Sequence, residues 1–242
     1  MVRRGLALSR SEAAHAIDAR LVLVNGSVAD KPARLVDPGD AVVLQGPPAR
    51  FVSRGGEKLA AALEAFQVDV AGSRVLDAGA STGGFTDCLL QSGASHVVAV
   101  DVGHGQLHPR IRDDQRVTVL ERFHVRDLTL EAIGGAVDLV VADLSFISII
   151  RVLPALLAVS RPGSELVLLV KPQFEAGKAE VDRGSGVIRD PLIHQRVCDE
   201  VSAALVDQGC EVVGWIDSPI TGAQGNREFL VHARSGRSGS GS

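Results

Sequence analysis

The sequence predicts an α/β protein built on a mostly parallel, seven-stranded sheet, with a small α+β domain in front of it. Apolar runs alternate with helical patterns after residue 73, which is typical of a parallel sheet covered by helices on both faces. A break containing glycine and proline near residue 47 separates this region from a shorter, more basic segment. A glycine-rich turn follows the first apolar run, where open α/β sheets place their ligands.

The first predicted domain covers residues 1–46. Its helix begins at the capping box Ser9-Arg-Ser-Glu12 and extends through Ala19. Three short strands follow, separated by two turns of the kind that glycine, asparagine and proline favour. In order, these are the strand 21–24, the Asn25-Gly26 hairpin turn, the strand 27–29, the Asp37–Asp40 turn and the strand 41–44. Residues 47–54 are interpreted as a linker.

The second predicted domain covers residues 55–234, and a flexible tail is expected at 235–242. An amphipathic helix from Gly56 to Phe66 begins the domain. The predicted strands are 74–78, 96–101, 117–120, 138–143, 165–170, 211–216 and 228–233. Helices are expected between them, most clearly at 149–159 and 191–208. Because only a short connection joins the last two strands, we expect them to form an antiparallel pair.

The charge of the chain is unevenly distributed. The whole sequence of 242 residues has a net charge of −4, but residues 1–54 carry a balance of +3 and the remainder −7. A basic N-terminal segment on an acidic body suits a domain that docks on phosphate. The three cysteines show no C-x-x-C spacing, and no signal peptide or long apolar run is present. These features predict a cytoplasmic protein with no metal site and no membrane partner.

The turn Asp77-Ala-Gly-Ala-Ser-Thr-Gly-Gly-Phe-Thr86 is the strongest functional signal. Its glycines let the backbone approach a ligand, and its leading carboxylate disfavours a pyrophosphate. A cationic or zwitterionic ligand with an adenosine fits better, and S-adenosylmethionine (SAM) has both. Asp101 ends the next strand, where it could hold a ribose diol. The simpler alternative is that Asp77 and Asp101 cap turns and the glycines only make bends.

The predicted SAM contacts all come from this turn and from the ends of the neighbouring strands. They are Asp77, Gly79, Ala80, Ser81, Thr82, Gly83, Gly84, Phe85, Thr86, Asp101, Val102 and Asp143.

Two further strand ends carry charge. Asp143 follows the run 138–142, and Lys171 follows 166–170 and precedes a proline that stops the strand. A charged residue directly after a buried strand is seldom there for packing, although Asp143 could also cap the next helix. Taken alone, Lys58 and Glu228 would be ordinary surface charges.

Five segments in order resemble the TlyA family. They are Val52–Lys58, Asp77–Thr86, Asp101–Leu107, Ala142–Ser148 and Leu169–Glu175. Members of that family are FtsJ-like ribosomal RNA ribose methyltransferases with an N-terminal domain similar to that of ribosomal protein S4. The resemblance covers residues 2–233 and implies a Rossmann-like SAM-dependent methyltransferase fold.

The resemblance also implies a chemistry and its residues. It implies a catalytic tetrad at Lys58, Asp143, Lys171 and Glu228, and a 2′-O-methylated cytidine in 16S or 23S ribosomal RNA as the product. Lys171 could act as a general base if its pKa were lowered, although Asp143 and Glu228 would raise it. Otherwise it would orient the hydroxyl as a cation.

The implied partner is ribosomal RNA or a ribosomal subunit, bound through the first domain. The expected RNA contacts are Arg3, Arg4, Arg10, Arg20, Lys31 and Arg34. Relative to the family, the first helix of this domain is short, so either the start of the chain is misassigned or RNA affinity is reduced. We expect a monomer or a dimer.

Three other functions are compatible with parts of the pattern. The chain could be a non-catalytic S4-type RNA-binding protein on a methyltransferase fold, although an intact Asp143 and Lys171 argue against that. A haemolysin-like protein would need an amphipathic or membrane-spanning segment, and none is evident. A nicotinamide dehydrogenase is disfavoured by the lack of G-x-G-x-x-G.

Overall fold

A computed structural model describes residues 1–7, 10–18, 20–45, 49–222 and 225–236. Those residues divide into two compact units, Met1–Arg50 and Phe51–Ser242, and the boundary lies inside the predicted linker 47–54. Ser9 of the predicted capping box and residues 237–242 of the predicted tail lie outside the described residues. Ser235, the first tail residue, donates its backbone N–H to the carbonyl oxygen of Ser164 at 2.9 Å.

The described residues of the N-terminal unit form one α-helix and a small antiparallel sheet. After a 3₁₀ turn at Val2–Arg4, its elements are α1 (Arg10–Asp18), β1 (Val22–Val24), β2 (Ser27–Val28) and β3 (Val42–Leu44). The strand order is β2-β1-β3. Asn25 and Gly26 have φ of 49° and 82°, as a two-residue hairpin turn requires. Ile17, Val22 and Val24 lie in the core of this unit.

The second unit is built on a seven-stranded sheet. Its strands are β4 (Arg74–Ala78), β5 (His96–Asp101), β6 (Val117–Glu121), β7 (Val137–Ala142), β8 (Ser160–Val170), β9 (Glu211–Asp217) and β10 (Phe229–Arg234). Within the described residues the order is β6-β5-β4-β7-β8-β10-β9. The antiparallel pairing of the last two strands is confirmed. The sequence did not predict that β10 also pairs antiparallel with β8, which separates β9 from β8.

Helices cover both faces of this sheet. They are α2 (Gly55–Phe66), α3 (Gly84–Gln91), α4 (Pro109–Arg112), α5 (Leu130–Ile133), α6 (Leu153–Ala158), α7 (Pro172–Glu175), α8 (Lys178–Arg183) and α9 (Pro191–Asp207). Leu76 packs into the core that α5, α6 and α9 close, whereas its neighbour Val75 packs into the core under α2, α3 and α4. This alternation along β4 is what a doubly covered parallel sheet requires.

Two element boundaries differ from the sequence prediction by more than two residues. The helix expected at 149–159 is regular only from Leu153 to Ala158, because Pro154 lacks an N–H and therefore lies in the first helical turn. Strand β8 begins at Ser160 rather than at 165, and the added residues are separated from the rest by a register shift in the pairing of β8 with β7.

In the part of the chain that the structure describes, no helix combines the length and the apolar character needed to cross a bilayer.

Candidate active site

The glycine-rich turn lies between β4 and α3, at the carboxyl end of the sheet. Gly79 has a φ of 88° and donates its N–H to the carbonyl oxygen of Val100 at 2.8 Å. A Cβ placed on Gly79 would lie 2.5 Å from the backbone carbonyl oxygen of Asp143. Asp143 in turn donates its N–H to Ala78 at 2.9 Å. Residue 79 must therefore be glycine for the ends of β4 and β7 to meet.

Gly79→Ala is expected to abolish SAM binding, because the new methyl group forces the backbone of Asp143 away from the turn. Gly93→Ala is a matched control, since Gly93 has a φ of 89° but its Cβ would meet only Ala71 atoms at ordinary contact distances. Titration calorimetry with SAM measures both variants. If Gly79→Ala binds SAM as tightly as Gly93→Ala does, the close approach of residue 79 to Asp143 is not required for SAM binding.

Asp77 supplies a buried carboxylate at the base of this turn. Its Oδ2 accepts a hydrogen bond from the Thr86 hydroxyl at 2.5 Å, whereas its Oδ1 is buried with no partner among the described residues. Burial raises the pKa of Asp77 to about 7, the Thr86 bond opposes that rise, and the negative charge of Asp143 adds to it. A buried carboxylate oxygen without a partner fits a ligand that brings a positive charge or a donor.

Asp101 ends β5 beside a small cavity. Its carboxylate accepts the backbone N–H of Ser81 at 2.8 Å and that of Gly103 at 2.6 Å. The cavity is lined by Ala80, Ser81, Ala99, Asp101, Gly103, Gln106, Leu107, Val119 and Glu121. Its apolar side chains and its two carboxylates suit a nucleoside, which combines a flat aromatic base with a ribose that carries hydroxyl groups. The cavity and the turn are adjacent because Ala80 and Ser81 belong to both.

The other predicted SAM residues divide into buried and exposed positions. The Phe85 ring is in the core and the Thr86 hydroxyl is taken by Asp77, so their side chains support the turn from below. Ser81 and Thr82 are exposed, and Val102 is 64% exposed at the end of β5. The buried positions Ala80, Gly83 and Gly84 fix the path of the backbone. For example, a Cβ on Gly83 would lie 2.9 Å from the Leu107 side chain.

The four residues of the implied tetrad form two ion pairs. Lys58 pairs with Glu228, and the Lys171 Nζ lies 2.5 Å from the Asp143 Oδ1. The two lysines are each 8% exposed and Glu228 is 4% exposed, so only Asp143 has substantial contact with solvent. Phe229 pairs with Val170 in the sheet, which sets Glu228 beside Lys171 at the strand ends. The sheet thereby brings together charges that are far apart in the sequence.

The surroundings of Lys171 include an aromatic pair that sequence reasoning missed. Its Nζ also donates to the Ser145 hydroxyl at 3.1 Å and lies 5.9 Å from the centre of the Phe174 ring. The Phe174 ring is 5.3 Å from that of Phe146, which is 91% exposed and has a φ of 65°. A phenylalanine in the left-handed region is strained, and such strain concentrates at functional sites. The sequence did contain a signal for Phe146, since it is an aromatic residue within the motif Ala142–Ser148.

A second missed residue, Asp87, fastens the segment that leads to Lys58. Its Oδ2 accepts the backbone N–H of Val52 at 2.8 Å and pairs with Arg110 at 2.7 Å. A Cβ on Gly84 would overlap the Ser53 hydroxyl, so α2 and α3 approach each other closely here. Asp87 therefore joins the start of α2 to the helix of the glycine-rich turn. Nothing in the sequence pointed to these contacts of Asp87, because a single carboxylate inside a helix is usually solvated.

Some of the basic side chains expected to contact RNA already bond to the protein itself. The Arg4 guanidinium donates to the carbonyl oxygens of Asp37, Pro38 and Asp40, so it holds the turn before β3. Arg34 makes a longer bond, 3.4 Å, to the carbonyl oxygen of Val28. Arg3, Arg20 and Lys31 are exposed, and the side chain of Arg10 lies outside the described part.

Among the described residues, no three His, Cys, Asp or Glu side chains converge as metal ligands would.

Comparison with known proteins matches both units. The FtsJ-like methyltransferase family model matches residues 51–235, and the S4 domain model matches residues 1–42. A relative from Mycobacterium tuberculosis strain H37Rv is named 16S/23S rRNA (cytidine-2′-O)-methyltransferase TlyA. It is 52% identical over 235 residues, which cover 97% of this chain and 87% of that protein.

Solved structures give the same architecture. A candidate hemolysin from Streptococcus thermophilus is 42% identical, with a TM-score of 0.80 over 96% of this chain and 86% of that one. A SAM-dependent methyltransferase from Mesorhizobium loti is 20% identical, with a TM-score of 0.53 over 72% of this chain and 96% of that one. The second likeness shows the fold alone, which is the mostly parallel sheet with flanking helices predicted from the sequence.

Proposed function

This chain belongs to the TlyA family of FtsJ-like methyltransferases with an S4 domain, and we therefore propose that it methylates the ribose 2′-hydroxyl of cytidine in 16S or 23S ribosomal RNA. The observation that carries the proposal is the contact of Lys171 with Asp143 directly beside Gly79. It joins the glycine-rich turn to the charged groups that a ribose hydroxyl needs.

SAM is the methyl donor in this proposal, held by the turn and the adjoining cavity. Bound there, it supplies a methyl group on a positively charged sulfur, which needs no further activation. The free Oδ1 of Asp77 would face the positive charge of the ligand. Asp101 would hold the ribose hydroxyls with the acceptor capacity that its two backbone bonds leave. Ala99, Val119 and Leu107 would give the adenine an apolar surface.

Lys171 would act directly on the 2′-hydroxyl. An ammonium group has three donors, and Asp143 and Ser145 take two of them, which leaves one for the 2′ oxygen. In that form Lys171 would hold the 2′ oxygen in line with the methyl group and stabilise the negative charge that develops on it. The hydroxyl proton would pass to the Asp143 carboxylate, and the sulfur would leave as a neutral thioether. As a neutral amine it would instead remove the proton, with the proton passing to Nζ. The Lys58–Glu228 pair beside it would limit where the ribose can enter.

Phe146 would receive the target base. Its exposed ring next to Phe174 is a stacking surface within reach of the Lys171 side chain. Stacking of one base on an aromatic side chain contributes about 1–3 kcal/mol and needs a base whose face is not already stacked in a helix. A nucleotide that leaves its helix would thus find a platform beside the group that acts on its ribose.

The experiment that tests this function is a methylation assay on ribosomal subunits. Purified protein, SAM with a labelled methyl group and subunits from cells lacking the protein are incubated, and the label is located by nuclease digestion and mass spectrometry. We expect it on the 2′-oxygen of cytidine. Label on a base, or on the ribose of another nucleotide, would contradict the proposed reaction.

The S4 domain is expected to supply salt-dependent affinity for RNA. Replacing Arg3, Arg20 and Lys31 together by alanine should weaken RNA binding without changing SAM affinity. The dependence of log K on log salt should flatten by about one unit for each phosphate that the variant no longer neutralises, because fewer counterions are released. Fluorescence anisotropy with an rRNA fragment at several salt concentrations measures this.

A charge-matched control removes three arginines of the second unit, at the end of the seven-stranded sheet away from the glycine-rich turn. Arg116, Arg161 and Arg234 each pair with a carboxylate there, and their joint replacement by alanine should leave the salt dependence unchanged. If both triple variants flatten the dependence equally, net charge alone governs RNA binding.

A further inference from the structure

Glu175 is a half-buried carboxylate that the proposed reaction does not use. It ends α7, the single helical turn that begins directly after Lys171. Its Oε2 accepts the Ser148 hydroxyl at 2.6 Å, and its Oε1 accepts the backbone N–H of Ile149 at 2.7 Å. Both oxygens are thus bonded to the same short segment. Burial, chiefly, raises the pKa of Glu175, so this carboxylate is held there at some cost in desolvation.

The segment that Glu175 holds is the other end of the loop that begins at Asp143. At its start, Asp143 pairs with Lys171, and Ser145 accepts a second hydrogen bond from the same Nζ. At its end, Ser148 and Ile149 are fixed by Glu175. The loop 143–149 and the segment 171–175 are therefore joined at both ends, with Lys171 at one joint and Glu175 at the other.

This double attachment explains how the loop keeps a strained residue. Phe146 lies between the two joints with a φ of 65°, a conformation that costs a phenylalanine on the order of 1–3 kcal/mol. Such strain persists only where the surroundings over-determine the backbone. Without the Glu175 bonds the end of the loop could relax, and that relaxation would move Ser145 and Asp143 relative to Lys171.

We propose that Glu175 is a positioning residue for methyl transfer, which fixes the end of the loop 143–149 and thereby sets the Lys171 ammonium against Asp143 and Ser145. In this role Glu175 would act through the loop and not directly on SAM or RNA. The inference rests on the proposed function for the reaction that Lys171 serves. In this proposal the two hydrogen bonds of Glu175, and not its negative charge, keep Asp143 and Ser145 in place against Lys171.

The first test compares Glu175→Ala with Glu175→Gln. Loss of both bonds should lower kcat by about 10–100-fold, since misplacing a reacting group by about 1 Å costs up to about 10²-fold. SAM affinity should change by less than about twofold, because the backbone N–H of Asp143 stays bonded to Ala78 at the start of the loop. The KM for RNA should rise by a smaller factor than kcat falls, because Phe146 lies in the same loop. Glutamine can accept from Ile149 with its oxygen and donate to Ser148 with its amide, so it should retain kcat within about threefold.

The matched control is Glu165→Ala. Glu165 also holds two partners, His232 and Arg234, but it lies at the start of the regular pairing of β8, away from Lys171. Its replacement should lower the midpoint of thermal unfolding and leave kcat unchanged. If Glu175→Ala behaves in the same way, Glu175 supports stability only and the proposal is overturned. A Glu175→Gln variant as slow as Glu175→Ala would overturn it as well.

Ser148→Ala keeps the proposal testable if Glu175→Ala does not fold. It removes one of the two bonds and leaves the carboxylate in place, so kcat should fall by less than in Glu175→Ala. The double variant should be no slower than Glu175→Ala alone, because both changes break the same contact. An unchanged kcat in Ser148→Ala contradicts the role. Failure of the proposed function is distinguishable, because it would appear in the unaltered protein as label on another atom.

Discussion

Replacing Lys171 by alanine is expected to lower the rate of methyl transfer by at least ~10²-fold, the lower range for removal of an acid–base or charge-stabilising group. The reason is the contact set of its Nζ, which lies 2.5 Å from Asp143 and 3.1 Å from Ser145 at the carboxyl end of β8. SAM affinity should change little, because Lys171 does not contribute to the glycine-rich turn. Single-turnover methylation and SAM titration separate the two effects.

Lys171→Arg then distinguishes the two roles that this contact allows. An arginine keeps the positive charge but cannot lose a proton in this pH range, and its planar fork differs in shape from an ammonium. We expect it not to restore the rate. Near-full activity in Lys171→Arg would exclude a general base and leave positioning and charge stabilisation as the whole contribution. An unchanged rate in Lys171→Ala would remove Lys171 from the mechanism.

Asp77→Ala is expected to abolish SAM binding, the second large effect. The variant loses the buried Oδ1 that has no partner among the described residues and the acceptor that holds the Thr86 hydroxyl. Calorimetry measures the affinity, and unchanged binding would place SAM elsewhere. Thr86→Val is an informative companion, because it breaks the internal hydrogen bond while leaving the carboxylate to face the ligand.

The raised pKa of Asp77 gives this result a pH dependence. Because that pKa is about 7 without ligand, the carboxyl is largely protonated at pH 6 and largely ionised at pH 8. If the carboxylate faces the positive charge of SAM, affinity should rise from pH 6 to 7.5, with a limiting slope of about tenfold per pH unit below the pKa. Asp77→Asn should bind weakly and show no such rise.

The stability of the ligand-free protein should change in the opposite direction. The folded state holds the Asp77 proton more tightly than the unfolded state, so the free energy of unfolding falls as pH rises from about 4 to about 7. Asp77→Asn stays neutral throughout, so it should be more stable than the unaltered protein at pH 8 and similar to it near pH 4. Thermal unfolding across this range checks the sign.

The sequence alone determined the elements and the type of chemistry. The run 74–78, the turn with Gly79 and the charged strand end at Lys171 were recognisable because periodicity, glycine conformation and strand termination are local properties. The charge asymmetry likewise predicted that residues 1–54 dock on phosphate. The five motifs in order were enough to indicate the family, and their strand–turn–helix context agrees with the structure.

Only the tertiary structure decided which of those groups meet. Glu228 reaches Lys58 across 170 positions because β10 inserts beside β8, and no local pattern contains that order of strands. The same applies to the Glu175 bonds with Ser148 and Ile149, and to the free oxygen of Asp77. Hydrogen bonding and desolvation depend on what surrounds an atom in three dimensions, whereas the sequence specifies only what that atom is.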